Sequence, residues 1–229
     1  PNIIPQLGKH YDLTLTDVVP YPDGRPVRTV DVTDFSHVLE AARGMDAILN
    51  YTVNRSDPVE SFNVNIIGAY HVMRAAAELG IGRVLHTGPQ LTISGFAHDF
   101  DIDDVPRVPG TSYYGLTKYL SYELCRAYAR DFGIQTPCFV FNGLHAKPSG
   151  PVLNQDFPPF TIVWEDLVHA CRLALEVESI PDGFQDFNLL SYLAHGKYRI
   201  DKARRILGFD PLERVEDYYK RPVQDQETP

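Results

Sequence analysis

Short β-forming runs alternate with longer helical patterns along almost the whole chain, and no other feature of the sequence narrows the fold as much. Such alternation points to a parallel sheet covered by helices, because each return to a parallel neighbour needs a long crossover. The run YDLTLTDVV at 11–19 ends in Asp17 before the turn-forming PYPDGRP, and a second run, VRTVDV, begins at Val27. In TDFSHVLEAARG, Thr33 or Asp34 can cap a helix that Gly44 would close. DAILNYTV follows as a buried strand. Residues 61–79 then place Phe62, Ile66, Tyr70, Met73 and Ala77 near one helical face, with Gly80 as the stop. RVLHT is the next strand, 114–132 the next helix, ending at Gly133, and TPCFVFNG the next strand. A helix at 165–177, a late strand GFQDFNLL and a helix at 201–207 capped by Gly208 complete the pattern before a solvated end, RPVQDQETP.

Two irregular stretches interrupt it, at 88–111 and 147–160. The first, at about 24 residues, is longer than most loops in compact domains and is expected to carry function or small elements of its own. In open α/β sheets ligands bind at the carboxyl ends of the strands, where these stretches converge.

The charge balance narrows the partners: 21 basic against 30 acidic residues leave a net charge of −9, which repels phosphate backbones and anionic lipid. Neither a nucleic-acid nor a membrane partner is expected. No run of about 18 apolar residues occurs and the start, PNIIPQLGKHYDL, lacks a signal-peptide pattern, so a cytoplasmic protein is the expectation. The three scattered cysteines fit reduced thiols. No histidine or cysteine spacing matches a metal site, and neither G-x-S-x-G nor a P-loop is present. Glu165 and Asp166 at a helix start are explained by the helix dipole.

The sharpest chemical constellation is Tyr114-Gly115-Leu116-Thr117-Lys118. On a helix Tyr114 and Lys118 stand four apart and share a face. An ammonium about 4 Å from a phenol is worth roughly 4 kcal/mol at an effective dielectric of 20, or about 3 pK units, enough to make a phenolate accessible near neutrality. Such a pair can move a proton to or from a substrate hydroxyl.

Taken in order, LTLTD, VDVTD, DAILNYTV, NVNIIGAYHVMRAAAELGIGRVLHT, SYYGLTK, CFVFNG and DKARRILGFDP resemble the extended short-chain dehydrogenase/reductases, the NAD-dependent epimerase/dehydratase group. NIIGAYHV followed by LTISGF is most similar to uronate dehydrogenases, which oxidise sugar acids with NAD. The resemblance implies an α/β fold: a Rossmann-like, doubly wound parallel sheet with a small C-terminal substrate lobe. It makes residues 1–229 a single domain, with the lobe assembled from about 88–112, 143–164 and 181–229. It also implies that the first strand and its glycine-rich phosphate turn lie upstream of Pro1, since Gly80-Ile81-Gly82 leaves a helix and has the wrong polarity.

The function so implied is that of an NAD-dependent oxidoreductase acting on a sugar or sugar acid. Tyr114 would take the hydroxyl proton and Lys118 would lower the tyrosine pKa and touch the nicotinamide ribose. Asp17 would hold the adenosine ribose, which favours NAD over NADP. Asp31 and Val32 would flank adenine, and Asn50, Tyr51 and Thr52 would lie against the dinucleotide, with Tyr51 bulkier than that position prefers. Asn65 matches the helix asparagine. The long helices, here 61–79 and 114–132, would pair in a homodimer. Two departures stand out. The substrate-positioning hydroxyl of the family falls on Pro89 or Gln90, leaving Thr87 as the substitute, and the strand that normally precedes an Arg-Pro-Gly turn reads Phe141-Asn142-Gly143. A nucleotide-sugar epimerase or dehydratase uses the same pair, and a non-catalytic Rossmann-like protein that keeps the scaffold but has lost turnover is the other alternative.

Overall fold

The structure, a computed structural model, describes residues 2–21 and 23–219; the expected solvated end RPVQDQETP lies outside them. A short helix α1 (Ile4–Leu7) precedes strands β1 (Thr16–Asp17) and β2 (Arg28–Thr29), then helix α2 (Phe35–Ala42) and strand β3 (Ile48–Leu49). Helices α3 (Pro58–Phe62) and α4 (Gly68–Leu79) are joined without a break by a π-helical turn, Asn63–Ile67. Strand β4 (Val84–Gly88), helix α5 (Tyr113–Phe132) and strand β5 (Thr136–Val140) follow, then β6 (Gly143–His145), β7 (Thr161–Val163), helix α6 (Trp164–Glu176), strand β8 (Phe184–Asn188) and helix α7 (Asp201–Leu207).

The central sheet runs β3-β4-β5-β8, all parallel, and β1-β2 and β6-β7 form two further parallel pairs. Helices α4 and α5 lie side by side on one face, and α6 covers the other, where it meets α1 and α7. This is the expected doubly wound arrangement. The ladder of β1 is much shorter than the run 11–19, because its partner β2 offers only Arg28 and Thr29. Asp34, rather than Thr33, caps α2 by accepting from the Ser36 amide at 2.8 Å. Gly80 and Gly133 close α4 and α5 in the left-handed conformation. The long stretch carries its own 3-10 element, Gln90–Phe96. All three cysteines are free and buried, and among the described residues no helix is long and apolar enough to cross a membrane.

Buried charge sews the irregular segments to the sheet. Asp186 on β8 is paired with Arg107 of the long loop and, at 2.7 Å, with Lys202 of α7. The backbone amide of Lys202 donates to Asp103 and the Asn188 side chain donates to the carbonyl of Ile102 at 3.1 Å. On the other face Asp166 accepts from the Leu212 amide at 2.7 Å and from the Ser191 hydroxyl. The acidic start of α6 therefore does more than answer the dipole: it anchors the C-terminal segment. A second cluster of Phe157, Val163, Tyr192 and Val215 packs apart from the main core.

Burial alone would raise the Asp186 carboxyl, but Arg107 and then Lys202 outweigh it and bring it down to about 2. A carboxyl lowered on folding stabilises the protein above its unfolded pKa, near 4, and loses that contribution as pH falls through the folded value. Acid unfolding is therefore expected to steepen between about pH 4 and pH 2. Asp186→Asn, which strands the buried Arg107 and leaves Lys202 only its bridge to Asp104, should cost about 3–5 kcal/mol in urea unfolding at neutral pH; a loss under about 1 kcal/mol would show that the cluster is not stabilising.

Candidate functional site

Helix α5 starts at Ser112, whose hydroxyl accepts from the Gly115 amide at 3.1 Å. The cap fixes the first turn, and with it the placement of Tyr114 and Lys118 one turn apart. Lys118 is only 2% exposed. Its ammonium donates to the carbonyl of Thr52 at 3.0 Å, and burial brings its pKa down to about 8. Two of the expected residues, Lys118 and Thr52, are thus joined directly.

The segment after β3 is held tightly. The side-chain oxygen of Asn50 accepts from the Thr52 amide at 3.1 Å and the Thr52 hydroxyl at 2.6 Å. Asn65, in the π turn, accepts from the Asn54 amide at 2.9 Å and donates to the Asn54 carbonyl at 2.8 Å and the Thr117 hydroxyl at 3.0 Å. A π turn widens the helix locally and occurs often at functional sites; here it delivers Asn65 across to the loop. The Tyr113 hydroxyl donates to the Arg55 carbonyl at 2.8 Å. Asn54 and Arg55 are therefore fixed by their main chain, while the exposed Arg55 guanidinium has no ion-pair or hydrogen-bond partner among the described residues.

Tyr114 differs from the expectation drawn from the helix spacing. Its phenol is raised, not lowered: burial pushes it up and Arg55 is the cation that opposes this, whereas Lys118 is turned to Thr52. The reason is geometric, since four-residue spacing puts two side chains on one face without aiming one at the other. Arg55 went unnoticed in the sequence because a turn such as Asn54-Arg55-Ser56-Asp57 carries no spacing signal.

The remaining expected residues divide into those beside this cluster and those away from it. The Thr87 hydroxyl donates to the Asn50 carbonyl at 3.3 Å, so Thr87 borders the cluster with its proton already used. The Tyr51 hydroxyl bonds to Cys171 of α6 at 3.0 Å, which carries the ring into the core; its bulk is not an obstacle on the α5 side. Asp31 accepts from the Thr33 amide at 2.9 Å and from its hydroxyl, which lower its carboxyl. Val32 packs against Gly68 so closely that a Cβ there would lie 2.7 Å from a Val32 methyl, and His71 donates to the Val32 carbonyl at 2.8 Å. Asp17, exposed at the end of β1, turns its carboxylate onto the amides of Val18 and Val19 at 2.7 and 3.3 Å. Gln90 donates to the Tyr198 hydroxyl at 2.6 Å. A cavity of about 450 Å³ lies elsewhere, beside α2, lined by Arg28, His37, Glu40 and Arg43.

His86 and Ser121 also belong to the cluster. The His86 ring bonds to Asn50 at 3.3 Å and to the Ser121 hydroxyl at 2.9 Å. A histidine inside the apolar run RVLHT was the available signal for it.

Known proteins share this arrangement of elements. Residues 6–151 match the NAD dependent epimerase/dehydratase family. The uronate dehydrogenase of Pseudomonas putida is 33% identical over 131 residues, 54% of this chain and 48% of that protein. The uronate dehydrogenase of Pseudomonas syringae pv. tomato is 32% identical over 156 residues, 67% of this chain and 55% of that protein. The chain thus spans about half the length of the curated relatives it matches. Among solved structures, the glucuronic acid dehydrogenase of Chromohalobacter salexigens superposes with a TM-score of 0.76 at 22% identity, over 95% of this chain and 81% of that one, which shows the fold.

If Asn65 is what holds the loop, Asn65→Ala should destabilise the protein by about 3 kcal/mol through the buried groups it strands. Amide exchange at Asn54 should rise well before global unfolding does. Unchanged protection at Asn54 would show that the loop is held by other contacts.

Proposed function

Since the chain belongs to the NAD dependent epimerase/dehydratase family, we propose that it is an NAD-dependent oxidoreductase acting on a sugar acid. The observation that carries the choice of substrate is Arg55: a guanidinium beside Tyr114 with no ion-pair or hydrogen-bond partner among the described residues, on a backbone fixed by Asn65 and Tyr113. Nearly every other arginine described is paired with a carboxylate or with carbonyls, as Arg83 is with Ala174 and Val177. A carboxylate on the substrate is the partner that a free guanidinium at this place fits. The uronate dehydrogenases among its relatives support the same substrate class.

The donors present fit the adenosine and nicotinamide ends of a dinucleotide, and none of them is assigned to its pyrophosphate. Asp17 would hold the adenosine ribose through its remaining lone pairs, and Asp31 and Val32 the adenine side. The main chain of Asn50, Tyr51 and Thr52, with Lys118 and Tyr114, would hold the nicotinamide side. NAD, when bound, supplies the hydride acceptor. In the reducing direction a phenol kept neutral by burial can give its proton to the substrate oxygen; in the oxidising direction Tyr114 would first lose that proton to solvent, which Arg55 favours, and the phenolate would then take the hydroxyl proton. Lys118, an ammonium below pH about 8, supplies a donor anchored at the Thr52 carbonyl. Thr87 can donate to the substrate oxygen only by giving up its bond to Asn50.

The test is NADH formation with NAD and a panel of hexuronic acids and aldoses. Tyr114→Phe should lower kcat at least about a hundredfold. Arg55→Ala should raise KM for hexuronates about tenfold and leave aldoses unaffected. Turnover of a nucleotide-sugar without net NADH would favour the epimerase reading. Silence across the panel with no saturable NADH fluorescence would favour a non-catalytic scaffold.

A homodimer through the long helices is proposed on the aromatic face of α5. Tyr128 stacks on Phe132 at 5.2 Å and meets Tyr70 of α4 edge-on at 6.1 Å, and Phe132 is 60% exposed. Light scattering is expected to give a dimer at micromolar concentration, and Phe132→Glu to shift it to monomer; a wild-type monomer would refute the pairing.

A further inference from the structure

The hydrogen bonds around Lys118 close into a ring. Its ammonium donates to the Thr52 carbonyl at 3.0 Å. Thr52 donates twice to the Asn50 side-chain oxygen, at 3.1 and 2.6 Å. The Asn50 amide nitrogen meets His86 Nδ1 at 3.3 Å, His86 Nε2 meets the Ser121 hydroxyl at 2.9 Å, and that hydroxyl donates to the main-chain carbonyl of Lys118 at 2.8 Å.

Donor counting leaves one direction for the circuit. The Asn50 oxygen is occupied by two donors, so its NH₂ faces the ring, and an NH₂ can only donate. Nδ1 of His86 must therefore be a bare lone pair and the proton must sit on Nε2, donated to Ser121, whose own proton goes to Lys118. A second proton on His86 would set an N–H against an N–H and place two cations together. The surroundings oppose that form as well. Burial holds His86 well below its usual range and Lys118 adds to this. Lys118 is the cation facing the ring from α5, and the other titratable neighbours, Tyr122 from α5 and Cys138 from β5, are kept neutral by burial.

We propose that His86 is a positioning residue for Lys118: as the neutral Nε2–H imidazole it ties the Asn50–Thr52 segment to the α5 turn, so that the carbonyl receiving the ammonium and the backbone bearing it are fixed together. The proposal rests on the reading of Lys118 as part of the reacting pair. Positional slack of about 1 Å at such a group can cost up to a hundredfold in rate. This identifies the polar residue in strand β4 as part of the site's support and not as a core histidine satisfied by chance.

Three measurements test it. In protein labelled with ¹⁵N-histidine, the ring of His86 should show a bare Nδ1 and a protonated Nε2 from about pH 5 to pH 8; the other tautomer, or an imidazolium near pH 6, would overturn the proposal. With D-glucuronate and NAD, His86→Phe should lower kcat about tenfold or more with KM nearly unchanged, and His86→Gln, which keeps a distal donor for Ser121, should recover part of it. Ser121→Ala breaks the ring at its other side with little change in volume and serves if the His86 variants do not fold. It should speed amide exchange at Thr52 and lower kcat to a similar degree; wild-type values of both would overturn the proposal. Lys118→Met separates the two readings. If it keeps wild-type kcat the catalytic role of Lys118 fails, whereas the tautomer and the Thr52 exchange still report on the ring.

Discussion

An ammonium buried to 2% exposure is the constraint around which this site is arranged. Removing a charge of that size from water costs several kcal/mol even after relaxation, and only well-placed dipoles offset it. The offset here is the Thr52 carbonyl, and a carbonyl is useful to a buried cation only if it cannot move away. Asn50 holds Thr52, His86 holds Asn50, and Ser121 returns the chain of bonds to α5. The helix face at Lys118 and the carboxyl end of the sheet are thereby locked to one another by polar groups in a region that apolar packing alone would leave free to slide.

That lock is one end of a polar row crossing the sheet. His86, Cys138 and Asp186 are register neighbours on β4, β5 and β8 and so share a face. Tyr122 of α5 lies over the middle of the row, meeting the His86 ring edge-on at 5.9 Å, and a Cβ at Gly88 would fall 1.9 Å from its hydroxyl oxygen. At the far end Asp186 carries Arg107 and Lys202. The two ends differ in consequence. Asp186 binds loop and tail to the scaffold through full charges, whereas the Lys118 end satisfies one charge with neutral dipoles.

How far the sequence revealed this follows from the range of each interaction. Period and caps are local, so the helices, their glycine stops at Gly80 and Gly133 and the order of parallel strands could be read directly. The pairing of Tyr114 with Lys118 on one face was legible for the same reason. The direction in which Lys118 points was not, because it is set by Thr52, more than fifty positions away. Asp186 and Arg107, or Asn50 and His86, are likewise brought together only by strand register, and no spacing in the chain announces them. The extent of β1 was overestimated because alternation signals a strand without saying whether a partner runs beside it.

The sequence departures acquire a physical sense once side chains are placed. Tyr51 looked too large for a dinucleotide wall, but its ring lies in the core and its hydroxyl is bonded to Cys171. Phe141 packs against the main core, and the neighbouring Asn142 amide donates to the Phe160 carbonyl at 2.7 Å. The strand end that lacks an arginine is thus partly closed by internal packing, with Asn142 left exposed. If the substrate is a sugar acid, its carboxylate needs a cation somewhere near Tyr114, and the fixed loop after β3 presents one. Recognition would then lie on the loop after β3 and not at the end of β5. Such a site needs no separate support, because Asn65 and the Tyr113 hydroxyl already fix the backbone of Asn54 and Arg55 just past the Thr52 carbonyl that receives Lys118.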